Sequence, residues 1–367
     1  MAHANEKEDW HFYTKNMTYQ LESGMDSLIK KGWNNAVDQW NDEGMNLYTH
    51  QSSVNRLGTI NETSSTLYGR MTTYYNTKTG NVTKFIGGLN VGNPNITGSN
   101  VTTSTATHEV GHAMGLAHNS KNSIMNSARD RSKLWFPTSY DVETMNEIYE
   151  DTIGWDSAAT ILPQPKITAT DVNLSYDFPV TDELKDMVSE SDVIVIGKYQ
   201  EGYEKWNMLR ELEDIHKESS EGFVEGRLFD FKINKIIKGD LTEDSIVINH
   251  RVSETINVDI SEKAEGKVTF PDPKFVNPET NETYLLFLKQ NKELKNYYGA
   301  IEPFSVTIDD NNSVLLQSNL IDEKEISQSI KVTEDFMAHS NAEEFIEDSI
   351  TGMKLDELLE KIQFLKN

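Results

Sequence analysis

Apolar side chains return at two spacings along this chain, and each spacing marks its own kind of element. Met25, Leu28, Ile29, Ala36, Val37 and Trp40 fall three or four residues apart, which is one face of a helix, and Gly44 is a natural stop for it. Ahead of them Met17, Tyr19 and Leu21 alternate with polar neighbours and predict a strand over residues 16–24. Residues 67–75 and 84–91 read as two more strands, joined by the turn chemistry of Asn76-Thr77-Lys78-Thr79-Gly80-Asn81. A polar loop through Asn93-Pro94-Asn95 and Gly98-Ser99-Asn100 leads to a helix expected over 102–114. A last helix is expected near 140–150, opened by a Thr138–Asp141 capping box, with Val142, Met145 and Tyr149 on its apolar face. Trp33 and Trp40 belong to the core.

Pro163 and Pro165 mark a linker, and the character of the chain changes after them. A short helix near 181–189 is followed by strands at 193–199, 227–237, 245–252, 283–289 and 313–317, separated by Gly, Asp and Asn. The chain ends in an amphipathic helix with Leu355, Leu358, Leu359, Ile362 and Leu365 on one face. The expected class is α+β. Residues 1–160 form one α/β unit with three helices. Residues 161–367 form a smaller β-rich accessory region, resembling a small antiparallel barrel or sandwich with terminal helices.

Composition narrows the function. A chain of 367 residues suits two domains of about 100–200 residues each. It contains no cysteine, so disulfides, thiolate catalysis and cysteine-ligated zinc are excluded. No apolar run reaches the roughly 18 residues that a membrane helix needs. The net charge of -25 is uneven: residues 1–160 carry 17 acidic against 12 basic side chains, the remainder 42 against 22. Such a surface repels phosphate backbones, so nucleic acid is not an expected partner. Structural calcium is compatible with the acidity, but no D-x-[DN]-x-[DN]-G loop supports it. Met1-Ala2-His3-Ala4-Asn5 has the small-residue look of the tail of a signal peptide, or of a cloning start.

One segment carries the chemistry: Thr107-His108-Glu109-Val110-Gly111-His112-Ala113-Met114-Gly115-Leu116-Ala117-His118. His108 and His112 are one helical turn apart and project from the same face, so two imidazole nitrogens can grip one divalent ion. Gly115 can end the helix in the left-handed conformation and let the chain return His118 as a third ligand. Three neutral imidazoles leave a fourth position for water, the arrangement of a catalytic zinc site. Glu109, beside the first ligand, can deprotonate that water as general base and later protonate the departing amine of a cleaved peptide.

The pattern H-E-x-x-H-x-x-G-x-x-H followed by a methionine turn resembles the metzincin peptidases. The turn here is Ser123-Ile124-Met125, and the short gap between His118 and Met125 is most similar to the matrixin branch, of a bacterial kind. The resemblance covers residues 10–155. It implies a zincin-type catalytic domain, one catalytic Zn2+, a protein or peptide substrate, and Met125 beneath the metal without ligating it. It also implies an exported enzyme, free or held at the cell surface. Three departures stand out. Asn119 follows the third histidine, where matrixins usually have Ser. Ser127 occupies the place of the tyrosine ligand of astacins and serralysins. A cysteine switch is ruled out.

In metzincins the substrate pairs with an upper edge strand, and Phe85-Ile86-Gly87-Gly88-Leu89-Asn90-Val91 is the stretch assigned to that role, with Gly87, Gly88 and Leu89 as substrate-binding residues, or as an ordinary edge strand with a bulge. The segment 128–140, including Tyr140, is assigned to the pocket for the residue after the cut. The expected function is a secreted zinc endopeptidase acting as a monomer. The competing readings are a surface adhesin or binding protein with a vestigial protease domain, and a hydrolase of a non-peptide bond. Residues 161–367 read as a binding or targeting module. An inhibitory clamp is disfavoured there, because such segments usually precede the catalytic domain.

Overall fold

Asp26 accepts a hydrogen bond from Leu28 N at 2.7 Å and so caps the helix that the apolar stripe predicts. In the computed structural model, which describes residues 7–150, 168–261, 264–321, 326–342 and 345–366, the first half runs β1 (Asn16–Leu21), α1 (Ser27–Asp42), β2 (Asn46–Thr49), β3 (Arg56–Ile60), β4 (Gly69–Asn76), β5 (Asn81–Asn90), α2 (Ser99–Ala113) and α3 (Ser139–Ile148). The linker prolines, the join near residue 160 and the residues Met1–Asn5 lie outside the described residues. The expected helices and the strands around 16–24, 67–75 and 84–91 are present. The strands β2 and β3 gave no signal in the pattern, being four and five residues long and too short to show an alternation. The indole nitrogens of Trp33 and Trp40, both fully buried, donate to Gly58 O and Thr107 O at 3.0 Å each. The first ties α1 to β3 and the second ties it to α2, so these residues are core.

The second half runs β6 (Asp171–Asp177), α4 (Leu184–Glu190), β7 (Val193–Tyr199), β8 (Glu204–Asn207), β9 (Phe223–Lys238), β10 (Ser245–Ser261), β11 (Ala264–Pro271), β12 (Thr283–Asn291), β13 (Asn296–Gly299), β14 (Ser305–Ile308), β15 (Val314–Gln317), β16 (Ile326–Thr333), β17 (Phe336–Ala342) and α5 (Leu355–Leu365). Among the described residues, β7, β9, β10, β13 and β12 close a circuit of paired strands, antiparallel except between β10 and β13. Closure removes the open edges of a sheet. One face of this unit packs Leu285, Phe287 and Val306 against Met187 of α4 and Leu358 and Ile362 of α5.

Three strands leave that unit and join the first one. The first sheet has the order β16-β17-β6-β4-β5-β3-β1-β2, so β6, β17 and β16 continue it beyond β4. An apolar cluster of Tyr74, Val172, Leu174, Val258, Phe270 and Phe336 seals the two halves. Beside it lies a buried ion cluster. Arg251 Nε is 3.0 Å from Glu62, Nη2 is 2.7 Å from Glu254 and Nη1 is 3.1 Å from Asp272, while Arg70 reaches Glu254 from β4.

The ion cluster gives a stability prediction. Arg251→Ala leaves three buried carboxylates without their shared cation and should cost on the order of 3–5 kcal/mol. Urea unfolding measures this, and a loss below about 1 kcal/mol, the range of an exposed pair, would contradict it.

Candidate metal centre and catalytic site

The helix α2 is buried along almost its whole length, from Thr102 to Ala113. Its hydroxyl-bearing residues stay buried because they bond back along the helix: Thr105 Oγ1 donates to Val101 O at 3.0 Å and Thr107 Oγ1 to Thr103 O at 2.8 Å. The helix stops where expected. Gly115 has φ +97°, and a side chain there would meet Trp10 O at 2.3 Å. Only glycine satisfies both the left-handed conformation and that close approach. The reversal returns His118 to the pair on the helix.

The three Nε2 atoms converge. His108 and His118 are 3.1 Å apart, His108 and His112 3.1 Å, and His112 and His118 3.0 Å. The opposite nitrogens fix the tautomers of two rings: His108 Nδ1 is 2.9 Å from Ile124 O, and His112 Nδ1 is 3.0 Å from Leu116 O. With their protons committed to carbonyls, those rings present bare lone pairs to a common point. This donor set fits one zinc ion bonded at about 2.0–2.1 Å to each nitrogen. Burial holds His108 and His112 well below the ordinary histidine range, and burial with Arg129 and Arg131 nearby brings His118 down to about 4. All three rings are therefore neutral, as ligands must be.

A polar network supports the ligands. Asp141 Oδ2 accepts from Ile124 N at 2.9 Å and from Thr138 N at 2.8 Å, and Oδ1 accepts from the Ser123 hydroxyl. Asn119 Nδ2 donates to Ser123 Oγ at 3.1 Å. The capping box of α3 thus also fixes the carbonyl that orients His108. Met125 is fully buried under this group, and a side chain at Gly111 would meet its sulfur at 2.4 Å. The glycine between the two helical histidines is there to admit that sulfur.

Glu109 lies on the same turn, and among the described residues neither of its buried oxygens has a hydrogen-bond partner. Burial, reinforced by the negative charge of Asp177, pushes its carboxyl well above the usual range. A side chain at Gly69, the first residue of β4, would sit 2.5 Å from Glu109 Oε1, so the edge of β4 runs directly over this carboxylate. Asp177 also enters the site, with Oδ1 3.9 Å from His108 Nε2. Its carboxylate is 2.9 Å from Arg129 Nη2 and 2.5 Å from Arg131 Nη2. Burial alone would raise Asp177, but these guanidiniums outweigh it and hold the acid well below its usual range.

The structure thus brings His108, Glu109, His112, His118 and Met125 together. It does not bring Gly87, Gly88 and Leu89 to a substrate edge. They lie on β5, which is paired with β3 on one side and β4 on the other, so no backbone edge is open there. A side chain at Gly87 would instead meet Met71, Leu57 and Trp33. The strand beside Glu109 is β4, whose Gly69 lies over that carboxylate and whose side away from β5 is paired with β6. Tyr140 lies half-buried in the first turn of α3. From the segment assigned to the pocket, Arg129 and Arg131 turn inward onto Asp177. The sequence reading missed Asp177, Arg129 and the supporting role of Asp141. Only Asp141 carried a signal, through its capping box.

Two outcomes follow. Asp141→Ala should weaken zinc binding by about 10–100-fold, the usual effect of losing an outer-shell partner. Competition with a chelator measures it, and unchanged affinity would remove the network's role. Because His118 is neutral down to about pH 4 rather than the ordinary 6.5, protons should compete for the ligands only as pH approaches 4. Metal content after dialysis through pH 7 to 4 tests this, and complete release by pH 6 would contradict it.

Residues 1–150 match a family model described as matrixin. No curated protein matches the chain. Among solved structures, the chain is similar to high choriolytic enzyme 1, a hatching enzyme zinc-protease from the medaka fish Oryzias latipes. The identity is 11% and the TM-score 0.27, over 38% of this chain and 94% of that one. The matrixin match falls on the segment that brings three imidazoles to one point, and the two findings together support a metzincin-type catalytic domain in residues 1–150 and a zinc metalloprotease.

Proposed function

We propose that the protein is an exported endopeptidase in which Glu109 is the general base. The observation that supports this most is the convergence of three imidazoles beside a buried carboxylate that has no hydrogen-bond partner among the described residues. Zinc held by His108, His112 and His118 would supply acidification of water and polarisation of a peptide carbonyl. Glu109 takes the proton from the attacking water and delivers it to the departing amine. A raised carboxyl suits both halves of that task, since it holds the proton between the two transfers. Gly69 of β4 lies over Glu109, and an extended substrate chain paired along the side of β4 that β6 occupies would pass that carboxylate, which suits cleavage within a polypeptide. Export and a monomeric state are our reading of the protease class. Among the described residues no helix is long and apolar enough to cross a membrane.

The test uses zinc-loaded protein, casein and peptides blocked at both ends. Internal cleavage is expected at the rate at which the covered centre opens, and Glu109→Gln should lower that rate by about 10²–10⁴-fold at unchanged zinc content. Equal, measurable rates in the two proteins would remove Glu109 as base, and a preference for free termini would remove the endopeptidase reading.

A further inference from the structure

The β4 edge that a substrate would use is already filled. All seven residues of β6 pair antiparallel with it, from Gly69 opposite Asp177 to Tyr75 opposite Asp171. The ladder extends past its end, where Tyr68 N donates to Asp177 O at 2.9 Å. At that end the Asp177 side chain reaches the metal ligands. One of its oxygens, a nitrogen of His108 and an oxygen of Glu109 lie within 4.8 Å of one another. Arg129 also donates to Ser104 Oγ of α2 at 3.0 Å, so the guanidinium that grips Asp177 is itself fixed to the zinc helix. On its other side β6 is backed by β17, in parallel register from Asp171 opposite Met337 to Leu174 opposite Ser340. The result is a covered centre: His108 and Glu109 are 0% exposed, His112 2% and His118 5%. Among the described residues, Glu109 is left no surface open to a peptide carbonyl while β6 is in place.

We propose that β6 is an internal inhibitory strand. It lies along β4 where a substrate chain would lie, and its Asp177 carboxylate takes the open side of the metal site, so that the chain as described is latent. This rests on the peptidase reading of the same site. It goes against the expectation that disfavoured an inhibitory clamp in this half because such segments usually precede the catalytic domain, since β6 follows it in the chain. The docking edge for substrate is then β4, and release of β6 uncovers it.

The test uses the full chain with cobalt(II) in place of zinc, and acetohydroxamic acid as a small metal-directed probe read by the visible absorption of the cobalt. Asp177→Asn should shift that absorption, bind the probe at least about tenfold more tightly because the competent fraction rises, and cleave blocked peptides correspondingly faster. A second variant does not touch the buried ion pairs. Thr73 and Asn173 face each other across β4 and β6, and the chain has no cysteine, so Thr73→Cys with Asn173→Cys gives one removable lock. The oxidised form should bind the probe more weakly than the reduced form, and reduction should reverse the effect. Identical absorption and probe affinity for wild type and Asp177→Asn, with no difference between oxidised and reduced cysteine pair, would overturn the proposal. Opening that is seen by the probe but gives no cleavage from any form would support the strand's place at the metal and count against the peptidase reading instead.

Discussion

Three imidazole nitrogens about 3 Å apart, aimed at one point, repel one another unless a cation lies between them. Everything near α2 serves to hold that unfavourable arrangement ready. The helix supplies two rings by its pitch alone. Gly115 supplies the third by ending the helix in a conformation that other residues resist. The carbonyls of Ile124 and Leu116 take the protons that would otherwise block the lone pairs, and Asp141 fixes one of those carbonyls through Ile124 N. Such preparation is costly without metal, because the rings are buried, neutral and mutually repulsive. Metal binding and the local fold are therefore coupled, each stabilising the other.

The same crowding of charge joins the two halves of the chain. Asp177 and Glu109 are two acids in one buried place, and they differ in what surrounds them. Asp177 has two guanidiniums within hydrogen-bond reach and stays ionised, while Glu109 has none among the described residues and is pushed toward its neutral form. A pair of carboxylates driven apart in this way is what separates a fixed charge from a group that moves protons. The second ion cluster, around Arg251, repeats the pattern at the joint: Glu62 comes from the first half, the arginine from the second.

The metal ligands were legible because their information is local. A spacing of four along a helix, a glycine three residues further and a histidine three beyond that are all read within one short segment. The elements of the first half were legible where a period had room to repeat, as in α1, and not in β2, where only Leu47 of four residues is buried. The substrate edge was misread because strand order is not a local property. Gly87 and Gly88 look like an edge that admits a partner chain, yet they are crossed by Met71 and Ile60 within the sheet. Asp177 was invisible for the same reason. Its partners, Arg129 and Arg131, are more than forty residues away, and nothing in Asp171–Asp177 distinguishes it from any other half-polar strand. A capping box could announce Asp141, since cap and partner are three residues apart.

Covalent attachment explains how an ordinary strand could hold such a site shut. A tethered segment faces its groove at an effective concentration in the millimolar range or above, so β6 need not match the groove better than a good substrate does. What keeps it there is also not its own ladder alone. Lifting β6 from β4 would expose Val172 and Leu174, both fully buried against Val258, Phe270 and Phe336, and would strip Asp177 from two buried guanidiniums. Leaving either charge set uncompensated costs several kcal/mol. Opening by thermal fluctuation is then rare, and the latent form is stable until the support behind β6 is altered. Cutting the chain that anchors β16 and β17, or drawing that pair away with a partner, removes the backing while leaving the ligands, Met125 and Glu109 in place. The latch thus depends on the accessory half, and the chemistry depends on residues that the accessory half only touches.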